Sequence, residues 1–358
     1  MRKNIVWLDY ARVLGISLVI FGHALQRFPA FEESSWLMWL WDYIYLFHMP
    51  LFFIISGFLF RVAPITMENI RSGGTKIVKT LIIPYFLYQF IYLPILFISK
   101  HGYSDISVLG KLLCGIFLGD GYETAYSIPV CLPCWFIVSI IQLRLLFLLV
   151  PINKCTSIIL GCFSIAFLLL RKNYNFDLLL CLDSTVMAIP YFLLGHYLNM
   201  YQNLGKRGNL YSMAFVFALI VGLVLYLNGA AQMIGPSFGK SVFLNFAAGI
   251  SGTFCIFALS MRLANRFNSR SIILKISRNT LFIIFLHWFF LAPCCLIAKK
   301  MFPFLLSNSV LALFTSIVLT IGILWTSKYF IDKLLKLCPI LLGKYKKYNH
   351  ESSTYGGR

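Results

Sequence analysis

Charge is what this chain has least of. Charged residues make up 12% of its 358 positions, Asp and Glu together number 12, and 59% of residues are hydrophobic, with a mean hydropathy of +0.81. A soluble domain carries roughly a quarter charged residues, so a soluble fold is excluded and a polytopic membrane protein is expected. Length alone would allow two domains, but no hydrophilic block is long enough to form one. The apolar run at 13–28 lacks a small-x-small cleavage site and carries a histidine. It is therefore expected to be a retained first span, not a signal peptide. Internal repeats and low-complexity tracts are missing, and the tail KYKKYNHESSTYGGR reads as disordered. No RNP, zinc-finger or helix-turn-helix pattern accompanies the net charge of +19, so nucleic acid is not an expected partner. Ten cysteines lie mostly in apolar segments, where they act as small hydrophobes. The lone pair Cys131 and Cys134 has no second CxxC or flanking histidine, so no metal site is expected; a disulfide between them is an open alternative.

What is present is a series of apolar runs of about 20 residues, which in lipid must be helices because the backbone has no water to bond. Ten spans are expected, at 8–27, 41–60, 78–98, 132–150, 155–170, 184–200, 211–228, 241–260, 280–298 and 305–326, with 109–118 too short to cross. The fold class is thus all-α, a polytopic bundle of about ten spans. One transmembrane domain would cover 1–335 and a short basic tail 336–358. Of the 31 Lys and Arg, 21 fall in the termini and the loops at 61–79, 151–154, 201–210 and 261–279, against eight in the opposite loops. Both termini are therefore expected on the cytoplasmic side of the cell membrane.

Two residues look out of place in the first span, WLDYARVLGISLVIFGHALQRF: Arg12 and His23. Eleven residues bring a helix round to within about 20° of its starting face and advance it by about 16 Å. The two share one stripe, and Asp9, three residues before Arg12, can pair with it. A snorkelling Arg12 anchored by Asp9 and a hydrogen-bonded interhelical His23 are the structural alternatives; ionisable residues within spans are more often buried and functional. The second span, YLFHMPLFFIISGFLF, brings His48 to a similar depth, with Pro50 in its first turn and Ser56-Gly57 allowing close helix contact. Two imidazoles at one depth suit a general base and a hydrogen-bonding partner around a hydroxyl, or a proton relay in a transporter. Trp135 and Phe136 open the fourth span as an interfacial aromatic belt would. Arg144, in the same span, is either a snorkelling side chain or an anion clamp. His287 sits near mid-membrane in the ninth span with structure and function equally open; His196 reads as structural.

These motifs carry a resemblance. The chain resembles the acyltransferase 3 family of polytopic membrane acyltransferases, nearest its fucose 4-O-acetylase-like branch. The resemblance rests on the Arg12-to-His23 spacing with Asp9 before it, on FHMPLFFIISGFLF, on CWFIVSI and on KISRNTLFIIFLH. Where the family has Gly-Ser or Gly-Asn before its late histidine, this chain has Ser277-Arg278-Asn279-Thr280. The resemblance implies transfer of an acyl group, usually acetyl, from cytoplasmic acyl-CoA to a hydroxyl of a cell-surface polysaccharide or lipid-linked glycan. Acetyl-CoA would be a co-substrate, with no tightly bound cofactor. The esterase-like domain that some relatives carry is not expected after the tenth span. On this reading His23 is the general base or an acylated nucleophile, His48 orients it, and Arg12 and Arg144 hold the donor; Asp9, Ser56, Trp135 and His287 support them. Outer-loop residues such as Asp105, Asp120 and Glu123 would contact the sugar. The rival class is a transporter or flippase for a lipid-linked glycan, which would favour inverted repeats that the sequence does not show.

Overall fold

A computed structural model describes residues 5–101, 106–119, 134–174, 178–200, 209–235, 237–267, 271–303 and 307–344. Asp105, Asp120, Glu123, Cys131 and the tail beyond 344 lie outside the described residues. Within them the chain is an all-α polytopic bundle whose β structure is one isolated bridge, Gln232 to Ser237. Among the described residues nine helical segments are long and apolar enough to cross a membrane.

The first three segments show how proline shapes the spans. α1 (Val6–Leu25) crosses without interruption, and a short α2 (Pro29–Glu33) follows. The second span begins earlier than its hydropathy suggests and is broken into α3 (Ser35–Tyr45) and α4 (His48–Phe58). Pro50 has no N–H to give the Leu46 carbonyl, and the helix interrupts at Leu46 and Phe47. Likewise the third span also starts early, as α5 (Met67–Ile77), and passes through a π turn (Val78–Ile82) into α6 (Ile83–His101). Pro84 denies the Thr80 carbonyl its partner, so the wide turn falls where the ladder lacks a bond.

The remaining helices are α7 (Ile106–Leu118), α8 (Trp135–Leu149), α9 (Lys154–Tyr174), α10 (Leu182–Met200), α11 (Leu210–Asn228), α12 (Val242–Arg266), α13 (Ser271–Ser277), α14 (Thr280–Met301) and α15 (Ser309–Leu337). Side-chain oxygens of Thr66, Asn209, Ser241 and Asn308 accept from the first backbone N–H groups of α5, α11, α12 and α15, which fixes where those helices begin.

The expected fourth span is α8, and at 15 residues, about 22 Å, it falls short of a hydrocarbon core of about 30 Å. Its Trp135 and Phe136 correct another expectation. They are buried, not set in an interfacial belt, because Phe53 of α4 covers both, with ring centroids 6.4 and 5.0 Å away.

Burial divides the spans into a centre and a rim. In Ser35–Phe58, 72% of the apolar window is buried, against 17% in α9 and 22% in α15, whose outer faces are exposed. α1 and α4 pack on each other and on α12, and α4 crosses α10 most closely. At that crossing a Cβ on Gly57 would stand 1.9 Å from the Phe192 carbonyl oxygen, and one on Gly195 the same distance from that of Ile54. Only paired glycines permit this approach, as the Ser-Gly in the second span led one to expect. A buried ion pair, Arg171 to Asp183 at 3.2 Å, ties α9 to α10.

Candidate functional site

Two polar clusters form along α1, one at each end, and they differ in kind. At the N-terminal end Asp9, 8% exposed, and Arg12 stand 4.0 Å apart, close to the pairing their spacing suggests. A third residue completes the group. Ser277 at the end of α13 donates to Asp9 Oδ1 at 2.5 Å and accepts from Arg12 Nη1 at 3.4 Å. Ser277 opens the stretch in which the chain departs from the resembled family's pattern. It lies 265 positions from Arg12, so no sequence spacing could have pointed to it.

At the C-terminal end of α1, His23 meets three other helices. The Tyr45 hydroxyl, at the last turn of α3, lies 3.4 Å from His23 Nδ1. Gly22 leaves room for it: a Cβ there would fall 2.7 Å from the tyrosine ring. The Tyr45 ring lies 4.3 Å from that of His48, at the start of α4. From α14, the His287 ring stacks beside that of His23 at 5.5 Å and 21°, and the Trp288 indole is 4.9 Å from His23. Arg27, just past α1, places its guanidinium 5.1 Å from the centre of Trp288. The break between α3 and α4 is what lets Tyr45 and His48, three residues apart, both border this cluster.

The hydrogen bonds fix more than position. His48 Nδ1 lies 3.1 Å from the Ile44 carbonyl oxygen, and His287 Nδ1 lies 3.2 Å from that of Ile283. A carbonyl oxygen only accepts, so each Nδ1 carries the proton and each Nε2 keeps a lone pair as the neutral ring. His287 is 1% exposed, and its Nε2 has no hydrogen-bond partner in the structure. Leaving a buried polar atom unmatched costs about 1–3 kcal/mol. The cluster therefore presents lone pairs of the sort that take a proton from a hydroxyl.

His23, His48 and His287, expected from three separate spans, are thus brought together. Asp9 joins Arg12, as expected. Arg144 is half-buried on α8, which packs chiefly on α5 and α10. Ser56 has a buried hydroxyl without a hydrogen-bond partner; with Trp135 it belongs to the α4 and α8 side of the bundle. His196 lies against its neighbour Tyr197, and its Nδ1 is also buried without a hydrogen-bond partner. Tyr45, Trp288, Arg27 and Ser277 were missed. Trp288 directly follows His287, and its place beside an intramembrane histidine was the one available signal. Among the described residues no group of three or more His, Cys, Asp or Glu is arranged to hold a metal ion.

Compared with known families, the chain matches Acyl_transf_3, described as an acyltransferase domain, over residues 5–329. It is similar to the nodulation protein NolL of Mesorhizobium japonicum, 36% identical over 76 residues that make up 21% of this chain and 20% of that one. It is also similar to NolL of Sinorhizobium fredii, 36% identical over 75 residues, with the same two shares. The chain spans about one fifth of the length of these curated relatives. No solved structure matches it.

Proposed function

The chain belongs to the acyltransferase family whose domain it matches, and on that premise we propose that it carries an acyl group, acetyl in the first instance, from acyl-CoA to a glycan hydroxyl. The acceptor is a cell-surface polysaccharide or its lipid-linked precursor, and the donor enters from the cytoplasmic side of the cell membrane, where both termini lie. The observation that supports this reading is the convergence of three imidazoles from α1, α4 and α14, two with Nδ1–H tied to backbone carbonyls and Nε2 left as a base.

In the reaction the acceptor oxygen attacks the thioester carbonyl carbon while His23 removes the hydroxyl proton. The tetrahedral intermediate collapses, the C–S bond breaks, and the proton passes from His23 to the departing thiolate sulfur. The Tyr45 hydroxyl, 3.4 Å from His23 Nδ1, fixes the ring orientation. His48 holds Tyr45 from the other side, and His287 bounds the space in which the acceptor hydroxyl sits. Arg12, about 16 Å along the helix, contacts the donor phosphates or pantetheine arm, and its Ser277 and Asp9 partners keep it aimed. Arg144 adds a second cation on the donor side.

The purified protein, given acyl-CoA, is expected to release CoA only when acceptor glycan is added. Release that ignores the acceptor, or none at all with acceptor present, would remove the assignment.

A further inference from the structure

Arg27 is a cation that the mechanism above does not use. Its guanidinium rests against Trp288, whose ring also touches His23 at 4.9 Å and His287 at 5.3 Å. The guanidinium and both imidazoles thus border one indole. Among the described residues no carboxylate pairs with it. Glu32 and Glu33, on the short helix that follows, are exposed and do not reach it. A cation placed only to favour the last carbonyls of α1 would need no aromatic face shared with two histidines.

The charge has a consequence for proton transfer. When His23 takes a proton, two like charges flank one indole. Like charges held this close in a partly desolvated site repel one another. An anion seated at the guanidinium relieves that repulsion, and the indole face suits the apolar side of a sugar ring. The unmatched Nε2 of His287, at the same ring, is a buried acceptor that a ligand hydroxyl would complete.

We propose that Arg27 and Trp288 form the acceptor subsite, and that the acceptor is an anionic sugar, bearing a phosphate or carboxylate close to the hydroxyl that receives the acyl group. This rests on the acyl-transfer reading above and narrows its substrate to one charge class. The guanidinium takes the anion, Trp288 takes the ring, and the hydroxyl is delivered between His23 and His287.

Glycans extracted from the producing cell, lipid-linked and polymeric, can be split on an anion exchanger into neutral and anionic pools. Each is then offered with acetyl-CoA to the full-length protein in lipid vesicles. CoA release is expected with the anionic pool. Phosphatase treatment of that pool, or reduction of its carboxylates, identifies the anion by which treatment abolishes release. Arg27→Gln should raise the apparent acceptor KM about tenfold, as loss of one charge-assisted contact does, with donor KM unchanged. Arg27→Lys should stay within about threefold of wild type, since it keeps the charge. Release confined to the neutral pool, or an unchanged acceptor KM in Arg27→Gln, overturns the subsite while leaving acyl transfer standing. Release with neither pool overturns acyl transfer, and the subsite with it.

Discussion

At the N-terminal end of α1, Asp9, Arg12 and Ser277 satisfy one another, with a single hydroxyl bridging carboxylate and guanidinium. At the other end, His48 and His287 give their protons to backbone carbonyls, and His287 keeps a lone pair that nothing in the fold meets. Both clusters draw on helices distant in sequence, and both sit on the same stripe of the same helix. The first is a set of polar groups held still by one another. The second retains an uncompensated acceptor on a ring whose other nitrogen is already bonded. On the mechanism proposed above, the first end holds the donor and the second moves the proton.

The comparison can be broken most directly at His23. His23→Ala should lower acceptor-dependent CoA release by about 10²- to 10⁴-fold, the usual worth of a general base, with membrane abundance as in wild type by immunoblot; full activity would end the catalytic assignment. Next is His287→Phe, which replaces the unmatched nitrogen with carbon. Activity should drop by about 10²-fold while the melting temperature in detergent does not fall, because a buried unsatisfied atom has been removed. A lower melting temperature with activity retained would make His287 structural. At the opposite end effects should be smaller and of another type. Arg12→Ala should raise the donor KM about tenfold through loss of charge-assisted contacts and leave the acceptor KM alone; equal shifts in both would erase the distinction between the two ends. Smallest is Ser277→Ala, which should cost about 1 kcal/mol of stability for the lost hydrogen bond and raise the donor KM about threefold by loosening Arg12.

The sequence disclosed the helical bundle because lipid leaves an apolar run of 20 residues few alternatives. Helical periodicity turns the eleven-residue spacing of Arg12 and His23 into a shared face, but it did not show that the two belong to separate clusters. It did not disclose Ser277, which reaches Asp9 only through the packing of α13 on α1. Tyr45 was hidden for a different reason: aromatic residues are abundant in such spans, and only the break before α4 singles this one out. Trp135 was misread because a tryptophan at a helix end looks the same whether lipid or Phe53 lies beside it. The shortness of α8 was obscured by apolar residues on either side of the helix. Hydropathy registers composition, whereas hydrogen bonding ends a helix.

Because the histidine cluster is assembled from α1, α4 and α14, it does not exist until the chain is almost fully synthesised. A growing polypeptide inserts its first imidazole with the opposing one still to be translated. On the acyl-transfer reading proposed above, any product that stalls before α14 lacks His287 and has no assembled cluster to offer a thioester.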